Sequence, residues 1–228
     1  MNNKLLVPGA IVVAALLVAG AIFMSNKNTS PEEIVDTDND TETSVTINPI
    51  TSDDHILGNP DAPIKIVEYS DIDCPFCAQF HSTMKQVIDE YGDSGQVAWI
   101  YRHFPIPQLH PDAPIKALAS ECIAKLGGNT AFWSYLDILF EREDEGKDDL
   151  SGIAKEVGVA SRDFSTCLNS GELQGEVDKD SADARRSGGQ GTPHSIIVVE
   201  ETGENITLPG AQSFDAIQQI IETLLPLN

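Results

Sequence analysis

The sequence predicts an α/β fold in which a mixed central sheet is interrupted by one long helical insertion. Three observations carry this expectation. A β-branched run, Ile64–Tyr69, is followed at once by a helical repeat and then by a second strand-like run, Val97–Arg102. From about residue 109 to residue 187 there is no convincing strand, only helical segments. Beyond that block, Ser195–Val199 and Asn205–Leu208 flank a turn at Thr202-Gly203 and precede a last amphipathic stretch. A strand–helix–strand unit calls for parallel strands, whereas the closely spaced later pair reads as a hairpin.

Residues 1–27 read as a membrane segment. Leu5 to Met24 carries no charge, with Lys4 before it and Lys27 after. As a helix this run is roughly 30 Å long, enough to cross a bilayer core. It reads as an uncleaved anchor, because the apolar run continues past the small-residue stretch Ala19-Gly20-Ala21; a cleaved signal peptide is the alternative. Either way the rest of the chain is expected outside the cytoplasm. Residues 28–54 read as an acidic flexible linker, with eight Asp or Glu and no Lys or Arg. Such a stretch buries too little apolar surface to offset its ordering entropy. The net charge of the whole chain is −22, from 36 acidic and 14 basic residues, which argues against nucleic-acid binding.

The folded domain is expected over residues 55–228, with Asn59-Pro60-Asp61-Ala62-Pro63 as a turn before the first strand. After that strand, Phe76, Phe80, Met84, Val87, Ile88 and Tyr91 recur on one helical face, with Pro75 at the first position and Gly92 just past the end. The insertion divides into Ala113–Leu126, Thr130–Glu141, Leu150–Val157, Arg162–Leu168 and a polar, exposed segment Glu172–Arg186. A helix over Phe214–Leu225, capped by Ser213, closes the domain.

The chemistry centres on Cys74-Pro75-Phe76-Cys77 at the start of the first helix. Three residues apart in one turn, the sulfurs share a face and are close enough to bridge. Cys74, at the exposed end, sees unpaired amide N–H groups and the positive end of the helix dipole, so its thiolate is favoured and it is the candidate nucleophile. Cys77, one turn in, is the resolving thiol. A purely structural bridge is a poor alternative, because so short a loop gains little closure entropy. Zinc needs about four ligands, and Cys122 and Cys167 each stand without an adjacent Cys or His. No metal and no cofactor are therefore expected. Glu68 shares strand parity with Ile64 and Ile66, so it faces the core, where burial raises its pKa and lets it exchange a proton with Cys77. Pro193 leads into an apolar strand and belongs at its start or at a bulge. The histidines read as packed or solvated, and Trp99 and Trp133 as core.

Together these features resemble the DsbA-like thiol–disulfide oxidoreductases of the thioredoxin superfamily. The resemblance is carried by the strand before Cys74-Pro75-Phe76-Cys77, the helical insertion, and Gly191-Thr192-Pro193 before a strand. Tyr101-Arg102-His103-Phe104-Pro105, His110-Pro111-Asp112-Ala113 and Phe132-Trp133 add to it. It covers about residues 55–228 and implies a thioredoxin-like fold. It further implies a cis peptide at Pro193 packed on the cysteine pair, and backbone groups of Thr192 offered to an extended substrate chain beside Pro75 and Phe76. An acidic residue at the Glu68 position and a disulfide between Cys122 and Cys167, as in some relatives, are also implied; two free thiols are the alternative for that pair. The implied activity is the introduction of disulfides into cysteine-containing secreted or cell-envelope proteins, with a membrane quinone-linked partner as reoxidant; a membrane-tethered reductase is the alternative. Phe76 departs from the family's strong oxidants, which carry His there. The direction of electron flow therefore stays open between oxidant and reductase, and a non-enzymatic metal carrier or chaperone on the same scaffold is a further alternative.

Overall fold

The computed structural model describes residues 45–142 and 149–225. The membrane segment expected over residues 1–27, and the linker as far as residue 44, lie outside the described residues. Among the described residues no helix is long and apolar enough to cross a membrane.

Five strands form one mixed sheet: β1 (His55–Gly58), β2 (Ile64–Ser70), β3 (Val97–His103), β4 (His194–Val199) and β5 (Glu204–Pro209). Their spatial order is β1-β3-β2-β4-β5. The pair β2–β3 is parallel, as the intervening helix demands, and the other pairings are antiparallel. The helices are α1 (Pro75–Tyr91), α2 (Ala113–Glu141), α3 (Leu150–Glu156), α4 (Ser161–Ser170), α5 (Gln174–Arg186) and α6 (Phe214–Leu224). Helix α2 is broken at Gly128, whose φ of 77° and ψ of −178° are not helical, so it consists of the two helices the sequence separates there. Helix α6 is capped as expected, with Ser213 Oγ accepting from Ala216 N.

Both faces of β2 are covered. On one face Ile64 and Ile66 join Phe80 and Met84 of α1, Ile123, Phe132 and Leu136 of α2, and Ile217 and Ile221 of α6 in the larger core. On the other, Val67 and Tyr69 pack with Ile100, Ile196 and Ala184, and with Val45, Ile47 and Ile50. The insertion is stapled by a disulfide from Cys122 in α2 to Cys167 in α4. For a 45-residue separation, such a crosslink stabilises by about 4 kcal/mol on the chain-entropy estimate.

Three features differ from the sequence reading. His55–Gly58 is a strand; it is short and lies at the sheet edge, where main-chain pairing to β3 needs no long apolar run. Residues 45–54, which the sequence reading places in the linker, lie against the second face. Their main chain is held there: Asn48 N donates to Asp183, and Arg102 donates to Asn48 O and Pro49 O. Helix α5, expected to be exposed, buries Val177, Ser181, Asp183 and Ala184.

The last two differences share one cause. Arg102 and Asp183 are both buried, and Arg102 Nη1 lies 2.7 Å from Asp183 Oδ2. Asp183 also accepts from the Tyr69 hydroxyl, while Arg102 Nε pairs with Asp54 at 2.8 Å. A charged residue inside α5 lowers its apparent hydrophobicity, yet it is what fixes the helix to the sheet. Removing Asp183 takes away the buried carboxylate that pairs with Arg102 and accepts from Tyr69 and Asn48, which costs about 3 kcal/mol, the low end for a buried pair because Arg102 keeps Asp54. Asp183→Ala should therefore lower the unfolding free energy by about that amount. A urea titration checks it; a midpoint unchanged from the parent protein would contradict the assignment.

Candidate active site

Helix α1 starts at the carboxyl end of β2, and Cys74 is its N-cap residue, in an extended conformation with no side-chain cap. The first-turn N–H groups therefore have no side-chain acceptor and face the Cys74 sulfur. Hydrogen bonding from the Cys77 thiol lowers the Cys74 pKa to about 5, against the opposing effect of burial. The Thr192 contact and the backbone N–H groups of Cys77 and Phe76 add to this. The neighbouring thiol thus contributes most, and the helix start adds to it.

Cys77 lies in the opposite environment. It is wholly buried, and burial pushes its pKa far up, helped by its hydrogen bond to Cys74 and by the nearby Glu68 carboxylate. The pair is in the dithiol form. At neutral pH one sulfur is a thiolate and its neighbour holds its proton.

Glu68 is fully buried on the face of β2 shared by Ile64 and Ile66. Its Oε2 accepts from Trp99 Nε1 at 3.0 Å, across the parallel β2–β3 pairing. Burial raises its pKa to about 7, with the Ser70 hydroxyl and the Trp99 indole holding it back in part. A carboxyl that titrates near neutrality beside a thiol that resists ionisation is suited to proton exchange with it.

The Thr192–Pro193 peptide is cis and directly precedes β4. Thr192 O lies 3.5 Å from Cys74 Sγ, so the loop and the helix end form one surface. Phe76 projects from that helix end with 62% of its surface exposed. Cys74, Cys77, Glu68, Thr192 and Pro193 are therefore brought together. Cys122 and Cys167 are placed in the insertion, bonded to each other.

His194 does not join the site: it stacks on Tyr69 and bonds to Ser187 Oγ at 3.1 Å. His81 pairs with Asp137 at 2.7 Å, and His103 is the last residue of β3 rather than part of the following loop.

Asp71 is the residue the sequence reading does not single out. It is buried, and its carboxylate accepts from Asp73 N (2.9 Å), Ile106 N (2.7 Å) and His110 Nδ1 (3.0 Å). Its own N–H points at Cys77 Sγ, 3.5 Å away. Asp71 thus ties the segment before the helix to the 104–110 loop. The available sequence signal was the Asp71-Ile72-Asp73 spacing, in which an Asp bonds the N–H two residues on.

A family model described as thioredoxin matches residues 51–223. Among solved structures, BdbD of Bacillus subtilis superposes with a TM-score of 0.68 at 24% identity, covering 79% of this chain and 97% of that one. DsbA2 of Pseudomonas aeruginosa gives a TM-score of 0.64 at 24% identity, over 78% and 97% of the two chains. These likenesses establish the fold. Among curated proteins, the Na+/H+ antiporter NhaA of Herminiimonas arsenicoxydans is 36% identical over 141 residues, 61% of this chain but 21% of that protein. The chain thus spans about a fifth of the length of this relative.

The contrast between the two sulfurs yields a pH signature. Below about 5 Cys74 is protonated and unreactive; above it the thiolate forms. Alkylation of the reduced protein should rise with a midpoint near pH 5 and level off well below the ordinary thiol value of about 8.5. The folded pKa is depressed, so this group stabilises the reduced fold fully above about 8.5, and that stability is lost as pH falls towards 5. Cys74→Ser should abolish the reactivity. A midpoint near 8.5 would contradict the site geometry.

Proposed function

The chain belongs to the thioredoxin family, and from that premise we propose that it is an exported protein thiol–disulfide oxidoreductase that introduces disulfides into cell-envelope proteins. The observation that carries the oxidising direction is the placement of Cys74 at an uncapped helix start beside the buried Cys77 thiol, an arrangement that lowers the Cys74 pKa. Stabilising the reduced form as a thiolate makes the disulfide form the better oxidant. Phe76 lacks the charge and hydrogen bonds of the histidine that strong oxidants carry. Here Cys77, Thr192 and the backbone supply that stabilisation instead.

In the oxidising cycle a substrate thiolate attacks Cys74 of the Cys74–Cys77 disulfide. The S–S bond breaks, and Cys77 departs and takes up a proton, with Glu68 as the nearby donor. The substrate's second thiolate then attacks its own sulfur in the mixed disulfide and expels Cys74. A low pKa makes Cys74 a good leaving group, so this release is fast. Two electrons have passed to the protein, and a membrane quinone-linked partner removes them. Thr192 offers main-chain groups to an extended substrate. Exposed Phe76 and Leu109 supply apolar contact for a polypeptide.

Anchoring by residues 1–27 keeps the domain at the membrane outside the cytoplasm, which matches a substrate pool of secreted and envelope thiols. The antiporter activity of the curated relatives is not carried over, because the chain spans so little of their length. A tethered reductase would use the same steps in reverse.

Equilibration with glutathione separates the two directions. The expected potential lies nearer the DsbA level of about −120 mV than the thioredoxin level of about −270 mV. Cys77→Ser should accumulate a mixed disulfide through Cys74, and Glu68→Gln should slow turnover about 100-fold while leaving Cys74 alkylation intact. A potential at the thioredoxin level would reassign the protein as a reductase, and full exchange activity in Cys74→Ser would sink the mechanism.

A further inference from the structure

One cluster outside the cysteine pair has no part in the exchange. His55 of β1, His103 at the end of β3 and Glu121 of α2 converge on a point beside a cavity of about 360 Å³. Nε2 of His55 lies 2.8 Å and Nε2 of His103 lies 3.1 Å from the same atom, Oε1 of Glu121. The three ligating atoms all fall within 4.8 Å of one another. The rings are held independently of these bonds. His55 stacks on Phe132 with centroids 3.6 Å apart, and His103 meets Tyr101 and Phe132 edge-on.

We propose that His55, His103 and Glu121 form a binding site for one divalent transition ion, with Zn2+ as the best fit and a cavity water in the fourth position. Two imidazoles and a carboxylate suit zinc, whereas calcium and magnesium select all-oxygen sets. At zinc bond lengths of about 2.0–2.1 Å, a tetrahedron puts its ligand atoms about 3.3 Å apart. The present 2.8 and 3.1 Å separations from Glu121 need to open slightly, while the two Nε2 atoms already lie within 4.8 Å of each other, so small side-chain shifts admit the ion. The ion takes the place of the protons that otherwise bridge each Nε2 to Glu121.

The electrostatics favour a cation. Asp53, Glu176 and Asp180 line the same cavity. Its two lysines are engaged, Lys125 with Glu172 at 2.6 Å and Lys179 with Glu176 at 3.5 Å. The supporting shell is incomplete, however: Nδ1 of His103 is buried without a partner. An outer-shell bond of that kind is worth about 10–100-fold in affinity, so binding is weaker by that factor than at a fully supported site. Because the ligands come from the edge strand, a neighbouring strand and the insertion, the ion would pin α2 to the sheet. It has no redox role, and the site stands whether or not the exchange activity does.

The test uses the full chain with Cys74 and Cys77 oxidised, so that no thiolate can take metal. Titration with Co2+ should give the visible absorption of a tetrahedral site at one equivalent, bleached by Zn2+ and not by Ca2+. Glu121→Gln and His55→Gln should each weaken Co2+ binding at least tenfold, whereas His81→Asn should bind like the parent. His55 is only partly buried, so its substitution serves where Glu121→Gln does not fold. Absence of Co2+ uptake by the parent protein, or uptake unchanged in both ligand variants, would overturn the proposal.

Discussion

Strand β2 has no face open to water, and most of the structure answers that constraint. Its alternating side chains put Ile64, Ile66 and Glu68 into one core, and Val67 and Tyr69 into the other. Each face carries a buried polar group, Glu68 on one and Tyr69 on the other, and the two are handled differently. The Glu68 carboxyl keeps a single indole bond and takes up a proton near neutrality. The Tyr69 hydroxyl is absorbed into an Arg102–Asp183 ion pair that fastens α5 and residues 45–54. One strand thus supports a titrating group on its reactive side and a fixed charge network on the other.

Burial alone does not decide what a thiol does. Cys74 and Cys77 are both covered, yet their acidities diverge because Cys77 is the more deeply buried and Cys74 receives more donors. The uncapped helix start and the Thr192 side chain serve Cys74; Cys77 has the Asp71 N–H and an acid behind it. Opposite acidities three residues apart arise chiefly from the hydrogen bond between the two sulfurs and from the burial of Cys77, with the backbone at the helix start adding to the first. This is why Phe76 can stand between them without cancelling the effect.

Much of the fold was legible because its signals are local. The period of α1, the Pro75 start, the β4–β5 hairpin and the break at Gly128 are all written within a few residues of where they act. The placement of Cys74 and Cys77 at the helix start was legible for the same reason, and the burial of Glu68 through strand parity. What escaped depends on partners far away in sequence. Asp183 reads as a surface charge until Arg102, 81 residues away, is placed against it. Residues 45–54 read as linker because their main chain, not their side-chain hydropathy, makes the decisive bonds. Asp71 spends its carboxylate on a loop more than 30 residues on, and β1 is specified by an edge that only the assembled sheet possesses.

The route of residues 45–54 has a consequence for how the domain presents itself. Val45 O accepts from Asn205 of β5, which pairs with Val198 near the far end of β4. The other end of β4 begins at His194, next to Pro193 and the sulfurs. The polypeptide therefore enters the domain at the pole opposite its reactive one. Val45 and the sulfurs thus lie at opposite ends of β4, so changes at the start of the domain act far from the reactive pair.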